Sequence, residues 1–159
     1  MKRRIIAPAL FVLLAACLCG TALSAEKTGV SNGQTVYVPA YSSIYHSDLK
    51  WDLDLSITLS IHNIDPVHNI VIESIDYFNT RGTLIHRYLK NNTTMALRPM
   101  ETYNIAIKEK DDRGGIGANF IVRWKAQSKV NNPIVETIMI GTKGQQGISF
   151  TSRGVAISQ

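Results

Sequence analysis

The chain has 159 residues, 17 of them Lys or Arg and 12 Asp or Glu, for a formal net charge of +5. Three of the basic residues, Lys2, Arg3 and Arg4, stand at the very start and no acid precedes Glu26, so the rest holds 14 basic against 12 acidic residues, or +2. So small an excess, without any basic run interleaved with aromatics, excludes nucleic-acid binding as an expectation.

The first element in chain order is an export signal. Lys2–Arg4 form its positive region and "IIAPALFVLLAA" (Ile5 to Ala16) its apolar region, which falls short of the roughly 20 residues that span a bilayer. Its end has two readings. "LAAC" (Leu14 to Cys17) looks like a bacterial lipobox, which removes residues 1–16 and makes Cys17 a lipid-carrying first residue. The alternative is cleavage after "ALSA", which removes residues 1–25. Both cysteines, Cys17 and Cys19, lie in this region, so the body is expected to have no disulfide, thiol nucleophile or thiolate metal site. Residues 26–34 read as a flexible segment, and residues 35–159 as a single domain large enough for one core.

"TVYVPAYSSIY" (Thr35 to Tyr45) predicts an irregular first strand broken at Pro39. In "DLDLSITLSIHNID", Leu53, Leu55, Ile57, Leu59 and Ile61 share one face while Asp, Ser, Thr and His residues take the other, which predicts a half-buried strand. Pro66 then turns the chain. "NIVIESIDYF" (Asn69 to Phe78) predicts a strand whose apolar phase slips by one, and a β-bulge near Glu73 or Ser74 accounts for the slip. "NTRG" (Asn79 to Gly82) reads as a hairpin turn and "TLIHRYL" as the returning strand. "KNNTTMALRPME" (Lys90 to Glu101) is read as a polar crossing between sheets. Strands follow at "TYNIAIKEK", "NFIVRW", "PIVETIMIGT" (apolar on both faces, as an inner strand is) and "GISF". Seven or eight short strands and no amphipathic helix beyond the signal predict an all-β, two-sheet antiparallel sandwich, immunoglobulin-like in architecture; a small β-barrel is the alternative.

"DDRGGIGANF" (Asp111 to Phe120) is the densest polar stretch. Its glycines do not make a dinucleotide loop, because Phe120 occupies the third glycine position and a strand follows instead of a helix. Asp111, Asp112, Arg113 and Asn119 are candidates for a binding loop. The competing reading is a turn, with positive φ at the glycines, Asp111 and Asp112 as caps, and Ala118 allowing close backbone approach. Tyr37, Tyr41 and Tyr45 either close one end of the sandwich or form a recognition surface of apolar rings with polar tips. His62 and His68 flank the Pro66 turn and are the metal candidates, though their spacing matches no metal motif and a metal role is not expected. No nucleophile elbow or zincin motif occurs, and Glu73 and Asp76 point to opposite faces unless the bulge realigns them. No catalytic residue and no cofactor are assigned.

The stretches "YVPAYSSIYH", "LSITLSIHNID", "IDYFNTRGTLIHRYL", "GGIGANFIVRW" and "VETIMIGTKGQQGISFTSRG" together span about residues 35–154. Through them the chain resembles a family of small exported bacterial proteins catalogued only as a domain of unknown function. The resemblance implies envelope export, often as a lipoprotein, and transfers no catalytic residue. The expectation is therefore a non-catalytic binding or interaction module of the bacterial cell envelope. It would be periplasmic or lipid-anchored, with an envelope protein or cell-wall component as partner and membrane contact only through Cys17. A periplasmic metal or small-ligand binder is the alternative, and a hydrolase the third.

Overall fold

The computed structural model describes residues 29–46, 51–142 and 147–158; the export signal, Cys17 and residues 26–28 lie outside them, while residues 30–34, expected to be flexible, are ordered as the start of the first strand, paired with Asn131 to Trp124. Twelve strands and one 3-10 turn make up the described chain: β1 (Val30–Pro39), β2 (Ser43–His46), β3 (Trp51–Asp54), β4 (Ser56–His62), β5 (Ile70–Phe78), β6 (Leu84–Arg87), β7 (Met95–Leu97), β8 (Thr102–Ile107), the 3-10 turn Asp112–Gly114, β9 (Asn119–Asn131), β10 (Ile134–Gly141), β11 (Ile148–Arg153) and β12 (Val155–Ile157). Every pairing is antiparallel.

Two sheets form the sandwich. The first runs β12-β1-β9-β5-β6, with β7 sharing the outer edge of β5; the second runs β11-β10-β4-β8; β2 and β3 form a separate hairpin. The side chains that alternation points inward make one core. Val36, Val38, Phe120, Val122, Trp124, Ile72, Ile75 and Tyr77 come from the first sheet, and Ile57, Leu59, Ile61, Ile105, Ile107, Val135 and Met139 from the second. Burial at this level is worth about 1.5–3 kcal/mol for each large aliphatic side chain, which is what holds a chain without a body disulfide. The first sheet ends on β12 at one edge and β6 and β7 at the other, and the second on β11 and β8, so the structure is a sandwich and not a closed barrel.

The strand count exceeds the seven or eight expected for identifiable reasons. The alternating run Leu53 to Ile61 stays buried on one face throughout, but β3 pairs with β2 while β4 pairs with β8 and β10. Alternation reports a strand's face, not its partner. Likewise β1 ends at Pro39 as expected, yet it opens at Val30, and its continuation β2 belongs to the hairpin. The stretch Lys90 to Glu101 is more than a crossing, because β7 lies within it and pairs Ile70–Ile72 with Leu97–Met95. β12 follows a tight corner at Gly154, whose N–H donates to Val135 O at 2.8 Å. The expected bulge in β5 is present: the register against β9 shifts between Ile72 and Ser74. The hairpin turn after β5 has Gly82 at φ 74°.

Candidate functional site

The glycine loop between β8 and β9 is held from three sides. Gly115 N–H donates to Ser42 Oγ at 2.7 Å, and Gly117 N–H to Thr80 Oγ1 at 2.9 Å. Thr80 donates in turn to Gly114 O through both its hydroxyl and its backbone N–H, and Ala40 N–H donates to Ala118 O. Of its glycines only Gly115 has positive φ, 74°. Gly114 is a glycine for space, since a Cβ there would meet the Tyr77 hydroxyl, Ala118 Cβ and Ser42 Oγ. The loop thus lids the buried end of Tyr77, whose ring packs on Phe120 with centroids 4.8 Å apart. Burial pushes the Tyr77 hydroxyl up to about 12, and Ser42 draws it back only partly.

The binding-loop candidates do not converge here. Asp111 makes no side-chain cap; its carboxylate takes a two-pronged contact from Arg113 Nε at 2.7 Å and Nη2 at 2.6 Å. That fork holds the Asp111 carboxyl below the ordinary range and raises the Arg113 guanidinium. Asp112 is exposed, and Asn119 donates to Gly117 O within its own loop at 3.4 Å. Asp111 and Arg113 thus serve each other and Asn119 serves its own loop, while the capping expected of Asp111 and Asp112 in a turn is absent at Asp111.

The tyrosines also separate. Tyr41 packs on Phe150, ring centroids 6.0 Å apart, and so helps close one end. Tyr45 stands exposed on the β2–β3 hairpin. Tyr37 faces outward from β1 on the first sheet. His62 and His68 are engaged apart from one another. His62 Nδ1 contacts Thr102 Oγ1 at 2.9 Å with Glu136 3.6 Å from Nε2, whereas His68 Nδ1 lies 3.0 Å from Asp65 Oδ1. Among the described residues no three His, Cys, Asp or Glu side chains gather into a metal-holding group.

The best-assembled exposed surface is the outer face of the first sheet. Register places Val155 of β12 beside Tyr37, Tyr37 beside Ile121 of β9, and Ile121 beside Asp76 of β5; one step along, Ile157 neighbours Thr35, which neighbours Arg123. Tyr37, Val155 and Ile157 expose 36%, 63% and 42% of their surface, a contiguous apolar patch on hydrogen-bonded backbone. Beside it the β5 bulge turns Glu73 and Asp76 to the same face, but each takes basic partners. Asp76 accepts from Arg87 Nε at 2.7 Å with Arg123 at 3.8 Å, and Glu73 pairs with Lys125 at 2.5 Å. The bulge that realigns the two carboxylates thus sets each of them in an ion pair.

Two features of the sequence carried no signal for this arrangement. β12 is three residues long, too short for alternation to register. The Asn63–Asp65 pair was hidden behind Pro66. Asn63 Nδ2 donates to His68 O, Leu97 O and Arg98 O, and the Asp65 carboxylate accepts from the N–H groups of Val67, His68 and Asn131. These N–H groups, Asn131 first, hold the Asp65 carboxyl far below the usual range.

A family model described as a protein of unknown function matches residues 33–157. No curated protein matches this chain. Among solved structures, the crystal structure of Thermotoga maritima 1070 aligns with a TM-score of 0.45 at 10% identity, over 79% of this chain and 95% of that one.

Proposed function

This chain belongs to the DUF3124 family, which comes with no assigned activity, and from its own surface we propose that it is a non-catalytic interaction module of the bacterial cell envelope. The observation that carries this reading is the outward patch of Tyr37, Val155 and Ile157. Exposed large apolar groups on fixed strands offer contact area at little further entropic cost, and a tyrosine ring with a polar tip suits a protein edge. Location follows from the charged start and apolar run at residues 2–16, with either Cys17 lipidated or Glu26 as the first mature residue. The mass of the N-terminal peptide from cell-derived protein tests that part. An unprocessed Met1 would overturn it.

The interaction itself is tested with a photo-crosslinking residue at Tyr37 in intact cells, compared with the same residue at Asn104, which is exposed on β8 of the other sheet. A discrete protein adduct from position 37 that is lost on Ile157→Glu is the expected result. Equal adducts from both positions, or none from 37, would refute the assigned face. Adducts to glycan instead of protein would move the partner to the cell wall.

A further inference from the structure

At one end of the same sheet, β9 departs from its neighbours. Gly33 pairs with Lys125 and Ser31 with Val130, so four residues of β9, Ala126 to Lys129, stand against the single Asn32 of β1. Bulges of this kind re-aim side chains and recur beside binding sites. Here the bulge lifts Gln127 and Ser128 into one wall of a cleft of about 460 Å³, and the turn bearing Val67 and His68 forms the other. Val71 of β5 lies across from Ala96 of β7 and from Lys125 of β9, and all three line the cleft.

Both walls are tied to one buried carboxylate. Asp65 Oδ1 accepts from the N–H groups of Val67 at 3.0 Å and His68 at 2.8 Å, while Oδ2 accepts from Asn131 N–H, just beyond the bulge, at 3.0 Å. Asp65 itself does not line the cleft, and among the described residues no other Asp or Glu does. The lining residues are instead the aliphatic Val67, Val71, Ala96 and Ala126, the basic Lys125, and the neutral polar Gln127, Ser128 and Asn69 beside His68. The Lys125 ammonium also meets Glu73, which lies outside the lining, and its three N–H donors let it serve a second oxygen. His68 Nδ1 lies 3.0 Å from Asp65 Oδ1, so Nε2 is the ring nitrogen pointed away from that contact and the one a ligand would meet.

A lining of one cation, neutral donors and short aliphatic groups, with no carboxylate, complements an organic anion of modest size. An imidazole Nε2 complements a ligand N–H or O–H. We propose that this cleft binds small carboxylic acids that carry a hydrogen-bond donor beside a short aliphatic body, as an N-acylated amino acid does. Lys125 takes the carboxylate, His68 Nε2 accepts the ligand N–H, and Val71, Ala96 and Ala126 receive the aliphatic group. The walls come pre-set by Asp65, so binding requires little ordering of the protein.

The test is an amide-resonance titration of the purified protein with N-acetyl-valine and, separately, with N-acetyl-valinamide, which has the same shape without the charge. Saturable shifts at residues 67–71 and 125–128 are expected for the acid. The amide is expected to bind about tenfold or more weakly, and Lys125→Gln to weaken the acid by about tenfold to a hundredfold. Lys125 has a side chain 59% exposed, so this variant keeps the fold even if a change at His68 does not. Absence of shifts in the cleft, equal binding of acid and amide, or unchanged affinity in Lys125→Gln would each overturn the proposal.

Discussion

Asp65 shows how far one residue's role can lie from its sequence neighbourhood. Pro66 marks the turn for any reader of the chain, but the anchoring falls to Asn63 and Asp65, whose partners Leu97, Arg98 and Asn131 lie 34 to 66 residues away. No local pattern encodes such contacts. Conversely, Asp111 and Asp112 draw attention by adjacency, and one is spent on Arg113 while the other faces solvent. Asp65 has a measurable consequence. Its carboxyl is held below the unfolded value of 3.8, so the stability it contributes is complete above that pH and is lost as pH falls through and below it. The urea midpoint of the native chain should therefore drop on acidification from about pH 5 to pH 2 more steeply than that of Asp65→Asn, which starts lower at neutral pH. Parallel slopes for the two proteins would remove Asp65 from this role.

Elements were legible wherever a period could be counted. β4 and β8 follow their apolar alternation, and the phase slip in β5 located its bulge between Ile72 and Ser74; β10 is an inner strand as its apolar run suggested, but it buries only one face, with Ile140 exposed on the other. What could not be counted was missed: β7 and β12 have three residues each, too few to show a period. The glycine loop illustrates a related ambiguity, since a sequence cannot say whether a glycine is present for its φ or for its missing side chain. Gly82 needs positive φ and has nothing near its absent Cβ, so Gly82→Ala should cost about 1–2 kcal/mol through backbone strain alone. Gly114 is packed under Tyr77, and Gly114→Ala should cost about 1–3 kcal/mol through overpacking. Tyr77→Phe removes the nearest obstructing atom and should recover part of the second loss but none of the first. Urea denaturation of the double variants measures that coupling.

For the whole molecule the decisive point is the corner at Gly154, where the chain leaves the second sheet and joins the first. A Cβ there would lie 2.6 Å from Val36 Cγ1 and 2.9 Å from Val135 O, contacts that only a shift of strands could relieve. Gly154→Val should therefore loosen β12 from β1 and lower stability by about 1–3 kcal/mol or more, read as a reduced urea midpoint. Because β12 carries Val155 and Ile157, the same change should weaken the Tyr37 crosslink described above. An undiminished crosslink in a destabilised protein would separate the corner from the interaction face.

The amino-acid sequence by itself determined the all-β class, the two-faced strands, the β5 bulge and the turn at Gly82, because each rests on a periodicity or a backbone preference expressed within a few residues. Only the tertiary structure decided which strands are neighbours, that β12 completes the Tyr37 face, and that Asp65 ties together the two walls of a cleft. Those features depend on pairings between residues tens of positions apart, and the free energy that selects them, from shared core burial and completed hydrogen bonds, exists only once the two sheets have closed on each other.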